Sequence, residues 1–459
     1  MRQPLAAASL ALILTGCAPL SRTPYVAPVV PLPPNFAHAP SSDRDPLPAM
    51  RHDRWWREFR DPSLDAVIDL AIERNPDLAA AAVRVRRATL QARLTANALR
   101  PIPGGNLSTG ASRALSGPNQ RSIESGAGAI DISWEADLFG RLGAERDAAR
   151  FEALATAEDR DAAFLSLVGT AATLYWQIAS ANERIAAADQ SLNYARRTQS
   201  LVDVQYRAGA VSMLERREAE QSVTVQEAAL SQLRQTRSEA RQALMMLLAG
   251  DPPASAERQA LDRSPMPPIA AGVPAELLGR RPDLRAAELR LRASLAGSDA
   301  VRASYYPALT LTSSIGTSST SLLNVLANPV AALGAGLTLP FLNARAMRLD
   351  TAVARTRYEE AVILFRKSLY TALGEVENAL SARAELVVQG GALLRAYTAA
   401  AEAERLYGVR YRAGAAPLRA WLDAQERRRN AEQDLSANRL MQLEAHVRLH
   451  QALGGGFGS

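Results

Sequence analysis

Two histidines near the end of the chain are the side chains best spaced for metal chemistry. His446 and His450 are four residues apart on a probable helix, so their imidazoles would lie on one face and could share a metal ion. No third ligand is evident beside them, and surface or packing histidines are the favoured interpretation. The sequence also contains no G-x-S-x-G, no phosphate-binding glycine loop and no paired-cysteine metal site. It therefore predicts no catalytic residue, no metal and no cofactor, and we do not expect an enzyme.

Cys17 is the only cysteine in 459 residues, and the sequence predicts that it is covalently modified. Residues 1–16 contain an apolar run that is too short to span a bilayer and is typical of a signal peptide. The run ends in Leu14-Thr15-Gly16-Cys17, which resembles the lipobox of bacterial lipoproteins. We expect cleavage before Cys17 and acylation of its sulfur and amine, which would anchor the chain in a membrane. The alternative is an ordinary signal peptide with an incidental cysteine. In the sorting rule for such lipoproteins, Asp directly after the modified Cys retains the protein in the inner membrane. Ala18 follows Cys17 here, which suggests the outer membrane.

Residues 17–50 are predicted to form a lipidated tether rather than a packed element. Nine prolines fall between Ala18 and Pro48, with little apolar periodicity. The remainder of the chain has no apolar run of 18 residues, so the sequence predicts no transmembrane helix. Any membrane crossing would therefore use strands.

The body of the chain is an internal duplication. Val204-Gln205-Tyr206-Arg207-Ala208-Gly209-Ala210 returns as Val409-Arg410-Tyr411-Arg412-Ala413-Gly414-Ala415, and Asn75-Pro76-Asp77-Leu78 returns as Arg281-Pro282-Asp283-Leu284. The unit is too long for a solenoid repeat, so it predicts two halves that build the same set of elements. We place the halves at residues 51–250 and 274–459, joined by a connecting segment at 251–273.

Long helices are predicted in each half. Proline is absent from Asn119 to Asp251 and from Phe341 to Ala416, which allows a helix in each tract of about 100 Å at 1.5 Å per residue. The spacing of Phe164, Val168 and Ala171 is typical of a coiled-coil seam. We expect helical hairpins at about 141–248 and 344–453.

Each half also contains a predicted β-hairpin, at about 104–135 and 307–340. Apolar and polar residues alternate along three of the four strands, whereas the first strand alternates weakly and is placed by the repeat. Strands of about ten residues suit an outer membrane. The residues assigned to lipid are Trp134, Leu309 and Leu337, and those assigned to the lumen are Ser133 and Thr310. Four strands cannot close a barrel, so the sequence predicts an oligomer. Soluble sheet edges are the alternative for these segments.

The motifs together closely resemble the TolC-like outer-membrane efflux proteins, and within them the lipoprotein channels of tripartite RND pumps. The residues that carry the resemblance extend over nearly the whole mature chain and are Trp55-Trp56-Arg57-Glu58-Phe59, Asp61-Pro62-Ser63-Leu64, Asn75-Pro76-Asp77-Leu78, Trp134-Glu135-Ala136-Asp137-Leu138-Phe139-Gly140-Arg141, Arg280-Arg281-Pro282-Asp283-Leu284, Leu339-Pro340-Phe341 and the two Tyr-Arg-Ala-Gly turns. The resemblance implies a mixed α/β membrane protein. Its fold class would be a trimeric 12-stranded outer-membrane β-barrel, four strands per chain, continued by a long periplasmic α-helical barrel.

The resemblance also implies a site at the periplasmic tips of the helical hairpins, where family members gate the channel and dock an adaptor. The tip-turn residues that match by position are Tyr206, Arg207, Gly209, Tyr411, Arg412 and Gly414. The gate carboxylates would be Glu215 and Asp423. Ala416 and Ala420 replace gate-network residues of some relatives, so this gate is expected to be held differently. For the tyrosines the alternative is packing at a helix end, and for the carboxylates it is a solvated helix face.

The implied function is the passive exit duct of an efflux pump. The implied partners are two further copies of the chain, a periplasmic adaptor, an inner-membrane RND transporter and outer-membrane lipids, with the body extending into the periplasm. The net charge of +6 comes with no basic cluster that contains aromatic residues, so nucleic acid is not an expected partner. The channel of a type I protein secretion system and a non-conducting periplasmic coiled-coil lipoprotein are the alternatives.

Overall fold

The computed structural model describes residues 22–39, 54–113, 122–253, 256–269, 273–319 and 329–455. The predicted lipidation at Cys17 and most of the predicted tether lie outside these residues. The chain divides into two compact units, and each takes segments from both halves of the duplicated sequence. The first unit comprises Met1–Val30, Val83–Glu158 and Arg285–Ser368. The second comprises Pro31–Ala82, Asp159–Leu284 and Leu369–Ser459.

A four-stranded antiparallel sheet forms much of the first unit. Its strands are β1 (Ile102–Arg113), β2 (Ser122–Ala136), β3 (Ala308–Ser319) and β4 (Pro329–Thr338), in the order β1-β2-β3-β4. Among the described residues, the edge strands β1 and β4 each pair on one side only. Both strands of each predicted hairpin are therefore present, and the two hairpins join through β2 and β3.

The register places the apolar side chains of the sheet on one face. Trp134 lies opposite Leu311, and Leu309 lies opposite Leu337. Because directly paired residues share a face and the side-chain period of a strand is two, these residues lie on the same side of the sheet. Large side chains on this face are exposed in the single chain: Leu107 by 85%, Ile130 by 68%, Ile315 by 65%, Leu333 by 89% and Leu337 by 63%.

The opposite face of the sheet is polar. Ser133 pairs with Thr312, and Glu135 pairs with Thr310. On β1, Gly104 lies opposite Asp131, where a Cβ would come within 2.8 Å of the carboxylate. The register thus agrees with the prediction that Trp134, Leu309 and Leu337 lie on one face of the sheet. Ser133 and Thr310 lie on the other face, also as predicted.

Eight α-helices occur in the part of the chain that the structure describes. They are α1 (Pro62–Arg74), α2 (Pro76–Asn97), α3 (Arg141–Arg207), α4 (Met213–Leu247), α5 (Leu277–Arg280), α6 (Pro282–Ala303), α7 (Ala344–Arg412) and α8 (Leu418–Ala452). The helices α3 and α7 contain 67 and 69 residues, and each is followed by a 35-residue returning helix.

The repeated motif at the start of α2 and α6 ties each helix to the end of a returning helix. In the first half, the Asn75 side chain accepts from the backbone N–H of Leu78 at 2.9 Å and donates to the carbonyl of Leu247 at 3.1 Å. In the second half, Arg281 donates to the carbonyl of Ala452 at 3.0 Å. Arg281 also pairs with Asp283 and Glu375, each at 2.7 Å. The duplicated positions therefore perform the same task with different chemistry.

Residues 22–33 form neither a helix nor a strand, and the first of them are bonded to the first unit. Thr23 donates from both its backbone N–H and its hydroxyl to the buried carboxylate of Asp299, each at 2.7 Å. Arg22 pairs with Asp147 at 2.9 Å. This part of the predicted tether thus forms no helix or strand, but its first residues are held against the protein surface.

The largest hydrophobic core lies in the second unit. Trp55 and Trp56 of a 3-10 helix (Trp55–Phe59) pack with α1, α3, α4 and α8. Buried Asp61 caps α1 and accepts a hydrogen bond from the Tyr175 hydroxyl at 2.9 Å, and it pairs with Arg258. Burial, reinforced by the Asp61 charge, raises the pKa of Tyr175 to about 12.

One helix of the part of the chain that the structure describes passes a length and composition test for a membrane span. This helix is α3, and more than half of its apolar stretch is buried inside the protein. Val168, Ala171 and Ala179 of α3 lie fully buried in the core of the second unit, so packing within the protein accounts for their apolar character.

Candidate functional site at the helical hairpin tips

The two repeated Tyr-Arg-Ala-Gly turns have the same backbone geometry. Gly209 and Gly414 both have φ of 72°, the left-handed conformation that costs glycine least. After α3, Ala210 N–H donates to the Gln205 carbonyl at 2.9 Å, and after α7, Ala415 N–H donates to the Arg410 carbonyl at 2.8 Å. These are the bonds of a Schellman motif, which ends a helix and reverses the chain. The sequence repeat therefore encodes two equivalent helix ends.

The returning helices begin differently. Before α4, Ser212 and Glu215 form a capping box, in which the Glu215 carboxylate accepts the Ser212 backbone N–H at 3.0 Å. Hydrogen bonds from Ser212 hold the pKa of Glu215 below its usual range. Before α8, Pro417 occupies the cap position and no side chain makes a cap hydrogen bond. Glu215 thus has a structural task at the helix start, and its predicted task in the gate stays a prediction.

The two turns of one chain are in contact within the second unit. The Tyr411 hydroxyl donates to the Gln205 side chain at 2.8 Å. Tyr411 also stacks on Trp421, with ring centroids 5.1 Å apart. Val202, Ala219, Leu418 and Trp421 form a buried cluster beneath them. Burial, the largest cause, raises the pKa of Tyr411.

Trp421 is a tip residue that the sequence reasoning missed. It is 4% exposed, and a Cβ at Gly408 would come within 2.9 Å of its indole nitrogen. One sequence signal could have identified it. A large aromatic residue occurs one turn into the returning helix of the second repeat, whereas the corresponding helix of the first repeat has no aromatic residue at that place.

The charged residues of the tips divide into paired and exposed groups. Arg216 pairs with Asp203 at 2.9 Å and lies 5.3 Å above the centre of the Tyr206 ring. Arg207 and Arg412 are exposed, and the Arg207 side chain donates to the Asp203 carbonyl at 3.2 Å. Asp423 is partly exposed. The structure therefore places the six predicted turn residues at the two turns and Glu215 in the first turn of α4, whereas Asp423 lies in the second turn of α8. It adds the ion pair between Arg216 and Asp203.

Known proteins that resemble this chain include outer-membrane channels. The family model described as "Outer membrane efflux protein" matches residues 67–250 and 273–455, one match for each half of the duplication. The pyoverdine export outer membrane protein OpmQ of Pseudomonas putida is 32% identical over 445 residues, which cover 93% of this chain and 94% of that protein.

Solved structures show the same likeness. The open state of the Neisseria gonorrhoeae MtrE outer membrane channel matches this chain with a TM-score of 0.77 at 29% identity. The match covers 95% of this chain and 98% of the MtrE chain. The crystal structure of CusC, a protein that forms a transmembrane channel, matches with a TM-score of 0.85 at 25% identity. The match covers 94% of this chain and 99% of the CusC chain.

The sheet, the helical hairpins and these likenesses define a subunit of an outer-membrane channel. The chain belongs to the outer membrane efflux protein family. The predicted fold class is confirmed: each chain contributes four strands to a trimeric β-barrel that continues into a helical barrel.

Proposed function

We propose that the protein is the exit duct of a tripartite efflux pump, through which substrates pass passively across the outer membrane. The observation that supports this most directly is the four-stranded sheet, with one exposed apolar face, one polar face and two unpaired edges. An unpaired strand edge is too costly to leave in lipid, so the sheet must close with copies of itself. Three chains supply twelve strands, with the apolar faces toward lipid and the polar faces around a lumen.

The proposed partners are a periplasmic adaptor at the tips and an inner-membrane RND transporter beyond it. Several relatives carry names of efflux or export components, including the OpmQ protein described above and the toluene efflux pump outer membrane protein TtgC of Pseudomonas putida. The exposed guanidiniums of Arg207 and Arg412 provide polar groups for an adaptor at the turns. Energy for transport comes from the inner-membrane partner, and the duct contributes a path, a gate and a docking surface.

Lipid anchoring at Cys17 is also part of the proposal. It rests on the sequence Leu14-Thr15-Gly16-Cys17. Acyl chains in the inner leaflet of the outer membrane would fix the start of the tether, while the body extends into the periplasm.

The test of the duct is reconstitution of the purified trimer into a planar lipid bilayer. We expect steady ion conductance. The variant Thr312→Arg, which places a bulky charge on the polar face, should insert as well as the original protein and change the conductance, which would assign the current to this lumen. A well-folded trimer that inserts without conducting would overturn the proposal and favour a non-conducting scaffold.

The test of docking uses a photo-crosslinking residue introduced at exposed positions of one helix, in cells that also produce the adaptor. Replacement of Arg412, at the tip of α7, should yield a crosslink to the adaptor. Replacement of Arg355, which is 80% exposed near the other end of α7, is the matched control and should yield none. A crosslink from Arg355 alone would place the adaptor elsewhere.

A further inference from the structure

A cluster of metal-ligating side chains in the second unit has no task in the proposed duct. His446 and His450 lie on α8, and Glu58 lies in the 3-10 helix that precedes α1. One ligand atom from each residue can be chosen so that all three lie within 4.8 Å of one another. The Nε2 atom of His450 is 3.8 Å from the Glu58 carboxylate. The fold has therefore brought a third ligand to the histidine pair from near the other end of the chain.

The two imidazoles are buried in a way that leaves their nitrogens unsatisfied. His446 is fully buried and His450 is 3% exposed. Among the residues that the structure describes, both ring nitrogens of His446 and Nε2 of His450 have no hydrogen-bond partner. Buried polar groups in folded proteins nearly always make hydrogen bonds, so three buried nitrogens without a hydrogen bond in one cluster point to a bound group.

Aromatic rings fix the orientation of both histidines. Trp55 stacks on His450 with ring centroids 4.7 Å apart and an interplanar angle of 13°. Phe59 contacts His446 edge to face at 5.0 Å. These rings exclude water from the cluster, which strengthens the interaction between a cation and its ligands. The positive charge of Arg383 opposes cation binding, because Arg383 interacts electrostatically with both histidines.

Two imidazole nitrogens and one carboxylate oxygen are a common protein ligand set for zinc. At bond lengths of about 2.0 to 2.2 Å, the ligand atoms of a tetrahedral zinc site are roughly 3.3 Å apart. The separation of 3.8 Å between His450 and Glu58 is close to this value, and small side-chain rotations would bring in His446. A fourth position would remain for water.

We propose that Glu58, His446 and His450 bind a divalent cation of the zinc class, one per chain. The ion joins the Trp55–Phe59 segment to the last helix, so it acts as a structural clip between the start and the end of the folded body. The proposal is independent of conduction, since it concerns a site remote in sequence from the turns and the sheet.

The test is zinc titration by calorimetry on the intact trimer, purified with a tag that contains no histidine. We expect one zinc per chain, and we expect Co²⁺ at the same site to give the visible absorption of a tetrahedral complex. Zinc should also raise the thermal midpoint, because it binds only the folded state. His446→Gln and His450→Gln should each weaken zinc binding at least tenfold.

The control is His38→Ala, which removes an exposed histidine that pairs with Glu377 at 3.0 Å. It should leave zinc binding, the cobalt spectrum and the thermal shift unchanged. If the histidine variants fail to fold, Glu58→Gln removes only the charge and should still weaken binding. Equal zinc affinity in the original protein and the Glu58→Gln variant, or no tetrahedral cobalt spectrum in the original protein, would overturn the proposal.

Discussion

Glu215 has two tasks that the right substitution can separate. Its carboxylate closes the capping box with Ser212, and it is also predicted to contribute negative charge near the channel axis. Replacement by Ala would remove both functions. Glutamine preserves the capping pattern without the charge, so Glu215→Gln is the informative change.

We predict that the double variant Glu215→Gln with Asp423→Asn reduces cation selectivity. Three copies of each carboxylate around a narrow axis would concentrate cations, and their loss removes that field. The measurement is the reversal potential in a salt gradient, together with block by divalent cations added from the periplasmic side. Unchanged selectivity and block would show that these carboxylates face solvent or the adaptor.

A second prediction at this scale concerns Cys17. The Cys17→Ser variant lacks the sulfur that accepts the first acyl chain, so it should show no palmitate labelling and should accumulate as unprocessed precursor. A variant with a conventional cleavable signal in place of residues 1–16 should still assemble, because the barrel inserts through its own apolar face. Continued labelling of the serine variant would remove the lipoprotein assignment.

Among the elements, the sheet provides the sharpest test of which face contacts lipid and which face lines the lumen. Leu337 lies on the apolar face and Thr310 on the polar face of neighbouring strands. Leu337→Arg should cost roughly 2 to 4 kcal/mol if it lies near the bilayer midplane, and Thr310→Arg should be tolerated and alter conductance. The measurement is the yield of heat-resistant trimer in outer membranes. Greater damage from Thr310→Arg would mean that the two faces are exchanged.

The sequence predicted elements well where a local pattern or the repeat specified them. The alternation in β2, β3 and β4 indicated their facing, and the duplication located β1, whose glycines conceal its alternation. The repeated Tyr-Arg-Ala-Gly motif likewise located the two turns that end α3 and α7.

Contacts between distant segments were not predictable. The stacking of Trp421 on Tyr411 depends on how two hairpins meet, and the proximity of Glu58 to His446 depends on the packing of the first and last elements of the second unit. The exchange of Asn75 for Arg281 at equivalent positions shows the same limit, because their shared task is visible only when both carbonyl partners are known.

For the whole molecule, we predict that introduced cysteines on β1 and β4 crosslink only between chains. Two strands separate β1 from β4, a distance of about 14 Å within one sheet, which is too far for a disulfide. Leu107→Cys, combined in turn with Cys at Ala331, Leu333 or Ala335, should give in one combination a ladder that ends at three chains. Denaturing gels under oxidising conditions provide the measurement.

The single variant Leu107→Cys is the control and should give no ladder, since β1 faces β4 of its neighbour rather than another β1. A ladder that ends at two chains, or continues beyond three, would contradict a closed trimer.

The two open edges of the sheet also have a genetic consequence. Because no chain can complete the barrel alone, a subunit with a damaged β1 or β4 prevents barrel closure in every trimer that contains it. In a cell that makes normal and damaged chains in equal amounts, random mixing would leave about seven-eighths of the trimers with at least one damaged member. Defects in the edge strands should therefore be dominant, whereas defects that prevent export of the chain should be recessive.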